Sequence, residues 1–84
     1  MNEEELKNLT VDKQVDARGT ACPGPLLEAK RAIPSVPKDG VMEVLSSDAS
    51  TKKDLPLWAN KVGHEHLGSL EDAGYSRIFI KRGK

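Results

Sequence analysis

Cysteine is almost missing from this sequence: there is one, Cys22, in 84 residues. A single thiol cannot close an internal disulfide, and it cannot hold a zinc ion alone. Aromatic residues are nearly as scarce, with one Trp, one Tyr and one Phe. The core must therefore come from Val, Leu, Ile and Ala, and a chain this short has no room for a deep enclosed pocket. Neither sign of charge is in excess, with 13 Lys and Arg against 13 Asp and Glu. That balance argues against a general nucleic-acid binder, though not against a local basic patch. No apolar run is long enough to span a membrane. The opening MNEEELKNLT is acidic and polar, unlike a secretory signal. No repeat, low-complexity tract or Gly/Ser linker divides the chain. The expectation is a soluble cytoplasmic protein with a flexible tail over residues 1–10 and a single domain over 11–84. At most a short helical turn is expected around Leu6.

Hydrophobic spacing sets out the elements that are present. KQVDA (13–17) reads as a first strand ended by Arg18-Gly19, where glycine permits a positive φ. From Pro23 the period becomes helical, with Leu26, Ala29, Lys30 and Ile33 on one face and Leu27 widening it. Pro34 stops that helix, and Pro37 with KDG makes a turn. VMEVLSS (41–47) is apolar enough for a central strand. Leu55, Trp58, Ala59 and Val62 then mark a second helix, with Asp54 as N-cap, Pro56 in the first turn and Gly63 as the stop. HEHLGSLEDAG (64–74) reads as a polar edge strand that turns through Asp72-Ala73-Gly74 into YSRIFIKR (75–82), a strand of clear alternation. The order βαβαββ predicts an α/β two-layer sandwich, a four-stranded mixed sheet with two helices on one face.

Against this frame the position of the thiol is informative. In DARGTACPGP, Cys22 stands at the N-cap of the first helix. Pro23 and Pro25 fit a helix start, where an N–H has no intrahelical partner, and are hostile to a helix interior. The Cys22 sulfur then lies over the positive end of the helix dipole, with the Gly24 N–H able to point at it and no side chain on Gly24 to block a partner. Such a setting lowers a thiol pKa by one to several units from ~8.5 and favours the nucleophilic thiolate. The bland alternative is a cysteine packed beneath the helix. Thr20 and Ala21 are small and shield little.

What surrounds the thiol limits what it can do. A cysteine hydrolase needs a general base within hydrogen-bond reach, and the sequence offers only His64 and His66, far along the chain. Two histidines with no third ligand are too few for a typical zinc site, so no metal and no cofactor is expected. A dithiol oxidoreductase wants Cys-x-x-Cys, and the second position here is Pro25. A sulfur that can attack but cannot finish a reaction unaided describes a carrier better than a complete enzyme.

The run Asp16-Ala17-Arg18-Gly19-Thr20-Ala21-Cys22-Pro23-Gly24-Pro25-Leu26-Leu27 resembles the Cys-Pro-x-Pro signature of the TusA/SirA-like sulfur carriers. DASTKKDLP (48–56) is similar to the family's entry into its second helix, and RIFIKRG to its last strand. Ala17, Thr20 and Ala21 stand where bulkier apolar residues are common. The resemblance implies the two-layer sandwich and a persulfide-carrying cysteine at Cys22. It implies a sulfur-donor protein (a cysteine desulfurase, a rhodanese or a DsrE-type protein) and a sulfur-acceptor protein. Family routes lead to tRNA thiolation, molybdenum cofactor maturation and dissimilatory sulfur oxidation, and in sulfur oxidisers the load can be thiosulfate held as a thiosulfonate.

Other residues carry paired readings. Arg18 either stabilises a persulfide or thiosulfonate by charge or pairs with Asp16 or Asp48. Lys52 and Lys53 are either a basic rim for a docking partner or solvated surface lysines. Trp58 reads as core, and the terminal KRGK as a solvated tail or a guide for an acidic partner. Two further functions stay open: a non-catalytic module that binds protein or nucleic acid through Lys52 and Lys53, and a peroxide-sensing thiol at Cys22.

Overall fold

The structure, a computed structural model, describes residues 3–19 and 24–83. The chain runs α1 (Glu3–Lys7), β1 (Lys13–Asp16), α2 (Gly24–Ala32), a 3-10 turn (Ile33–Ser35), β2 (Val41–Ser46), α3 (Thr51–Val62), β3 (Glu65–Asp72) and β4 (Tyr75–Lys81). The four strands form one mixed sheet in the order β1-β2-β4-β3. β1 is parallel to β2, with Lys13 opposite Met42 and Asp16 opposite Leu45. β2–β4 and β4–β3 are antiparallel. This is the expected α/β sandwich, with the weakly patterned 65–72 stretch on an edge.

Strand alternation divides the side chains between two faces. On one face Val15, Met42, Val44, Ile78 and Ile80 meet Ala29 and Ile33 from the α2 side and Leu55 and Ala59 from α3. A strip at i, i+4 and i+8 lies on the sheet from each side: Pro25 and Ala29 of α2 with Ile33 of the 3-10 turn, and Thr51, Leu55 and Ala59 of α3, all buried. The α2 strip is centred one residue away from the face read from sequence. Pro25 takes the buried position, Leu26 is half-buried, Lys30 is exposed and Leu27 is 49% exposed. A fully buried aliphatic side chain contributes about 1.5–3 kcal/mol, so these strips hold the layers together.

The start of α3 also departs from expectation. Asp54 is not its N-cap; the helix begins one turn earlier, with Ser50 as N-cap and Asp54 inside the first turn. The reason is local. The Asp48 carboxylate accepts the Ser50 N–H at 2.9 Å and the Asp48 carbonyl accepts the Thr51 N–H at 3.1 Å. The Ser46 hydroxyl donates to the Thr51 hydroxyl at 2.9 Å in the buried layer. Pro56 therefore lies inside the helix, where it removes the N–H that would meet the Lys52 carbonyl. Gly63 ends α3 in the left-handed region, φ 91°, and the His64 N–H reaches back to the Ala59 carbonyl at 2.7 Å, a Schellman closure.

The second face is not bare. Where a tail was expected, α1 lies against β3, and Leu6 is 4% exposed among Val41, Leu70 and Phe79. Its seat is Gly68, beside a bulge between His66 and Gly68; a Cβ there would stand 2.7 Å from Leu6 Cδ1. The sandwich thus has α2 and α3 on one face and the short α1 on part of the other. Farther along the same face, the buried Glu43 carboxylate accepts from Arg77 Nε at 2.6 Å and from Gln14 Nε2 at 2.7 Å. The Arg77 guanidinium lies over the Phe79 ring, 5.6 Å from its centroid. Among the described residues no helix is long and apolar enough to cross a membrane.

Glu43 is 2% exposed, so its carboxylate takes its hydrogen bonds from these partners and not from water. Arg77→Met is expected to cost about 3–5 kcal/mol in urea denaturation, because it strands a buried carboxylate. The double substitution Glu43→Leu with Arg77→Met is expected to recover most of that loss. An equal loss in single and double variants would show that the pair is not what holds this face.

Candidate functional site

Because β1 and β2 are parallel, their C-terminal ends lie at the same edge of the sheet. The chain leaves that edge twice, from β1 toward α2 and from β2 toward α3. The first of these connections carries Cys22. Thr20, Ala21, Cys22 and Pro23, and with them the expected N-cap position of the thiol, lie outside the described residues. The structure describes both flanks.

The upstream flank is held at three successive residues. The Ala17 N–H donates to the Leu45 carbonyl at 2.8 Å, extending the β1–β2 ladder, and Ala17 is 1% exposed. Arg18 grips Asp16 with its backbone N–H at 3.1 Å and with Nε and Nη2 at 2.9 and 2.8 Å. Gly19 takes φ 83°, a conformation that disfavours a β-carbon, and its N–H donates to Ser47 Oγ at 2.9 Å. On the downstream side Gly24 opens the described part of α2, and Pro25 is fully buried against the core.

Of the two readings of Arg18, the structure displays the pairing with Asp16. Its guanidinium also lies over the Tyr75 ring, 4.8 Å from the centroid. The Arg18 side-chain hydrogen bonds hold the Asp16 carboxyl at about 2, well below the usual carboxylate range. Next to them, the Tyr75 hydroxyl donates to Asp72 Oδ2 at 2.9 Å. Asp72 is lowered, first by the Ala73 N–H and then by that hydroxyl, and Tyr75 is raised by Asp72. The hairpin tip and the end of β1 thus form one polar cluster.

The second connection is equally tied down. Asp48 donates its N–H to Ser46 Oγ at 3.1 Å and caps the start of α3 as described above. Lys52 forms an ion pair with Glu71 on β3, which lowers the Glu71 pKa. Lys53 is exposed. The two lysines therefore face different surroundings. A shallow cleft of about 240 Å³ runs between this connection and the hairpin tip, lined by Ser46, Ser47, Lys52, Glu71 and Tyr75 among others.

The remaining singled-out residues lie elsewhere. His64 is tilted against Trp58, with ring centroids 5.5 Å apart, and its Nδ1 accepts the Gly83 N–H at 3.0 Å. His66 lies within hydrogen-bond distance of Ser69 Oγ at 3.1 Å, and burial lowers its pKa. The bulge and the helix end send the two histidines to different partners. Trp58 is half-buried at the rim of the core rather than inside it. Arg82 of the terminal KRGK turns inward and donates from Nη1 to the Val36 carbonyl at 2.5 Å. Among the described residues no group of three or more His, Cys, Asp or Glu could hold a metal ion. The reading of the sequence missed Ser47 and Tyr75. Ser47 falls in a polar run that reads only as a loop, and Tyr75 is an ordinary strand residue until Arg18 is seen above it.

Comparison with known proteins adds to this geometry. The family described as sulfurtransferase TusA matches residues 13–82. A candidate sulfur carrier protein of Archaeoglobus fulgidus is 47% identical over 68 residues, covering 81% of this chain and 93% of that protein. The sulfur carrier protein TusA of Pseudomonas syringae pv. syringae is 32% identical over 79 residues, covering 94% of each. The crystal structure of a SirA-like protein from Desulfitobacterium hafniense superposes with a TM-score of 0.73 at 28% identity, covering 86% of this chain and 99% of that one.

The Asp16–Arg18 pair gives a direct test. The folded-state pKa of Asp16 lies below the ordinary carboxylate value of ~3.9. Its stabilising contribution is therefore present above that value and is lost as pH falls toward 2. Carboxyl-detected NMR is expected to find Asp16 titrating at about 2 and returning to the ordinary range in Arg18→Gln. An unchanged titration in that variant would show that Arg18 is not the cause.

Proposed function

The chain belongs to the TusA sulfurtransferase family, and from that premise we propose that it is a sulfur carrier loaded on Cys22 as a persulfide. The observation that carries the reading is positional. The one cysteine of the sequence falls on Cys22-Pro23-Gly24-Pro25, inside the matched residues and directly ahead of α2.

The chemistry is a pair of exchanges. The Cys22 thiolate attacks the outer sulfur of a donor persulfide, R–S–SH. An S–S bond forms to Cys22, the donor's S–S bond breaks, and the donor leaves as R–S⁻ while the proton stays on the transferred sulfur. An acceptor thiolate then repeats the step on Cys22–S–SH and releases the Cys22 thiolate. Neither exchange needs an outside oxidant or reductant. The start of a helix suits this role, because its partial positive charge favours a thiolate over a thiol. The chain has no second cysteine, so it cannot discharge its load into an internal disulfide.

The neighbouring residues divide the work. Pro25 is buried at the start of α2, and the Cys-Pro-Gly-Pro run has the residue types that suit a helix start beside a reactive thiol. Arg18, its charge matched by Asp16, supports the strand end more than the transferred sulfur. Both lysines at the α3 start are exposed, Lys52 in its ion pair with Glu71, and Lys53 would offer its charge to a partner. A cysteine desulfurase, a rhodanese or a DsrE-type protein would supply the sulfur, a second protein would take it, and the relay would operate in the cytoplasm. The ion pair on Lys52 weighs against a module built on Lys52 and Lys53 together.

Incubation of the reduced protein with a small-molecule persulfide, followed by intact-mass spectrometry, tests the reading. The wild type is expected to gain one sulfur atom, removable by a thiol reductant, and Cys22→Ser to gain none. No gain on the wild type, or an equal gain on Cys22→Ser, would overturn the proposal.

A further inference from the structure

Ser47 lies on the connection between β2 and α3, yet neither of those elements uses its side chain. The β2 ladder ends at Ser46. The start of α3 is held by Ser46, Asp48, Ser50 and Thr51. The hydrogen bond that Ser47 Oγ makes is to the N–H of Gly19, at 2.9 Å, 28 residues away in sequence. Gly19 is the last described residue before Thr20–Pro23; Ser47 holds its N–H, and its φ of 83° sets the direction in which its own Cα–C bond leaves that amide. Among the described residues, chain neighbours aside, no atom lies within 4 Å of where a Cβ would stand on Gly19, and the positive φ is what calls for glycine there.

The anchor itself does not move easily. Ser46 is fully buried, and its hydroxyl takes the Asp48 N–H and donates to Thr51. The residues on either side of Ser47 are thus pinned to the sheet and to α3. Ser47 is itself exposed, and among the described residues the hydrogen bond of its side chain goes to Gly19, three residues upstream of Cys22, which has one structural consequence. It sets where the chain enters the thiol-bearing stretch.

We propose that Ser47 is a positioning residue for the stretch that carries Cys22: its hydroxyl holds Gly19 and so fixes where the chain enters that stretch. The proposal rests on the reading of Cys22 as the sulfur-carrying group. It ties the second connection to the first.

The test compares Ser47→Ala and Ser47→Thr with the wild type in three measurements. These are the pH profile of Cys22 alkylation by iodoacetamide, the rate of loading by a small-molecule persulfide, and the thermal midpoint of unfolding. In Ser47→Ala the alkylation profile is expected to move up toward the ~8.5 of a free thiol. Loading is expected to slow about fivefold, the equivalent of one ordinary hydrogen bond. The thermal midpoint is expected to fall by no more than the few degrees that one hydrogen bond supports, and Ser47→Thr, which keeps the hydroxyl, to match the wild type throughout. An alkylation profile in Ser47→Ala that coincides with the wild type would overturn the proposal, as would a Ser47→Thr variant as impaired as Ser47→Ala. Alkylation needs no sulfur donor. Failure of the wild type to load therefore counts against the carrier reading alone, while the alkylation profile still decides the role of Ser47.

Discussion

The parallel pairing of β1 with β2 is the constraint on which the rest of the structure depends. Parallel neighbours cannot be joined by a tight turn, so the chain must cross the sheet and return, and α2 is that crossover. The pairing of Lys13 with Met42 through Asp16 with Leu45 brings the ends of both strands to one edge. Everything proposed about the thiol follows from that edge. β1 delivers Arg18 and Gly19 there, β2 delivers Ser47 and Asp48, and the hairpin tip brings Tyr75 and Asp72. With an antiparallel β1 the Cys22 connection would leave from the opposite edge, and Ser47 would have no Gly19 to hold.

The two faces of the sheet solve burial differently. One is closed by the regular strips of α2 and α3, a dry aliphatic core with Ile78, Ile80, Val44 and Met42 fully buried. The other is closed in pieces. Leu6 covers the Val41–Leu70–Phe79 end, and the Glu43–Arg77–Gln14 network and the Arg18–Tyr75 stack cover the remainder. A chain of 84 residues with three aromatic side chains has little apolar material for a second full layer. Charged groups that satisfy one another take its place.

Much of this was legible in the sequence, because the elements announce themselves by local rules. The alternation of YSRIFIKR and the apolar run VMEVLS each admit one good reading. Gly63 marks the end of α3, and the helical spacing of Leu55 and Ala59 marks its buried side. The misplacements came from interactions that span the chain or compete locally. Asp54 has the chemistry of an N-cap, but Asp48 and Ser46 seed the helix a turn earlier. Leu27 looks like core until Pro25 is seen to take the buried strip. Leu6 gains a place only because Gly68, 62 positions later, has no side chain. Glu43 lies in a strand read only as apolar, and nothing in the spacing names Arg77 as its partner. At the site, the Pro-Gly-Pro context singled out Cys22 without any structure. Ser47 could not be found that way, since its role is one hydrogen bond across 28 residues.

The account comes down to a thiol that accepts a sulfur and gives it up again. Isotope transfer examines that most directly. The protein is loaded from a persulfide labelled in its outer sulfur, separated from the donor and mixed with an acceptor thiol, and the label is followed by mass spectrometry. The account predicts that the label resides on the Cys22 peptide after loading and passes intact to the acceptor, leaving Cys22 as a free thiol ready to load again. A label that never reaches Cys22, or one that stays there in the presence of an acceptor, would contradict it.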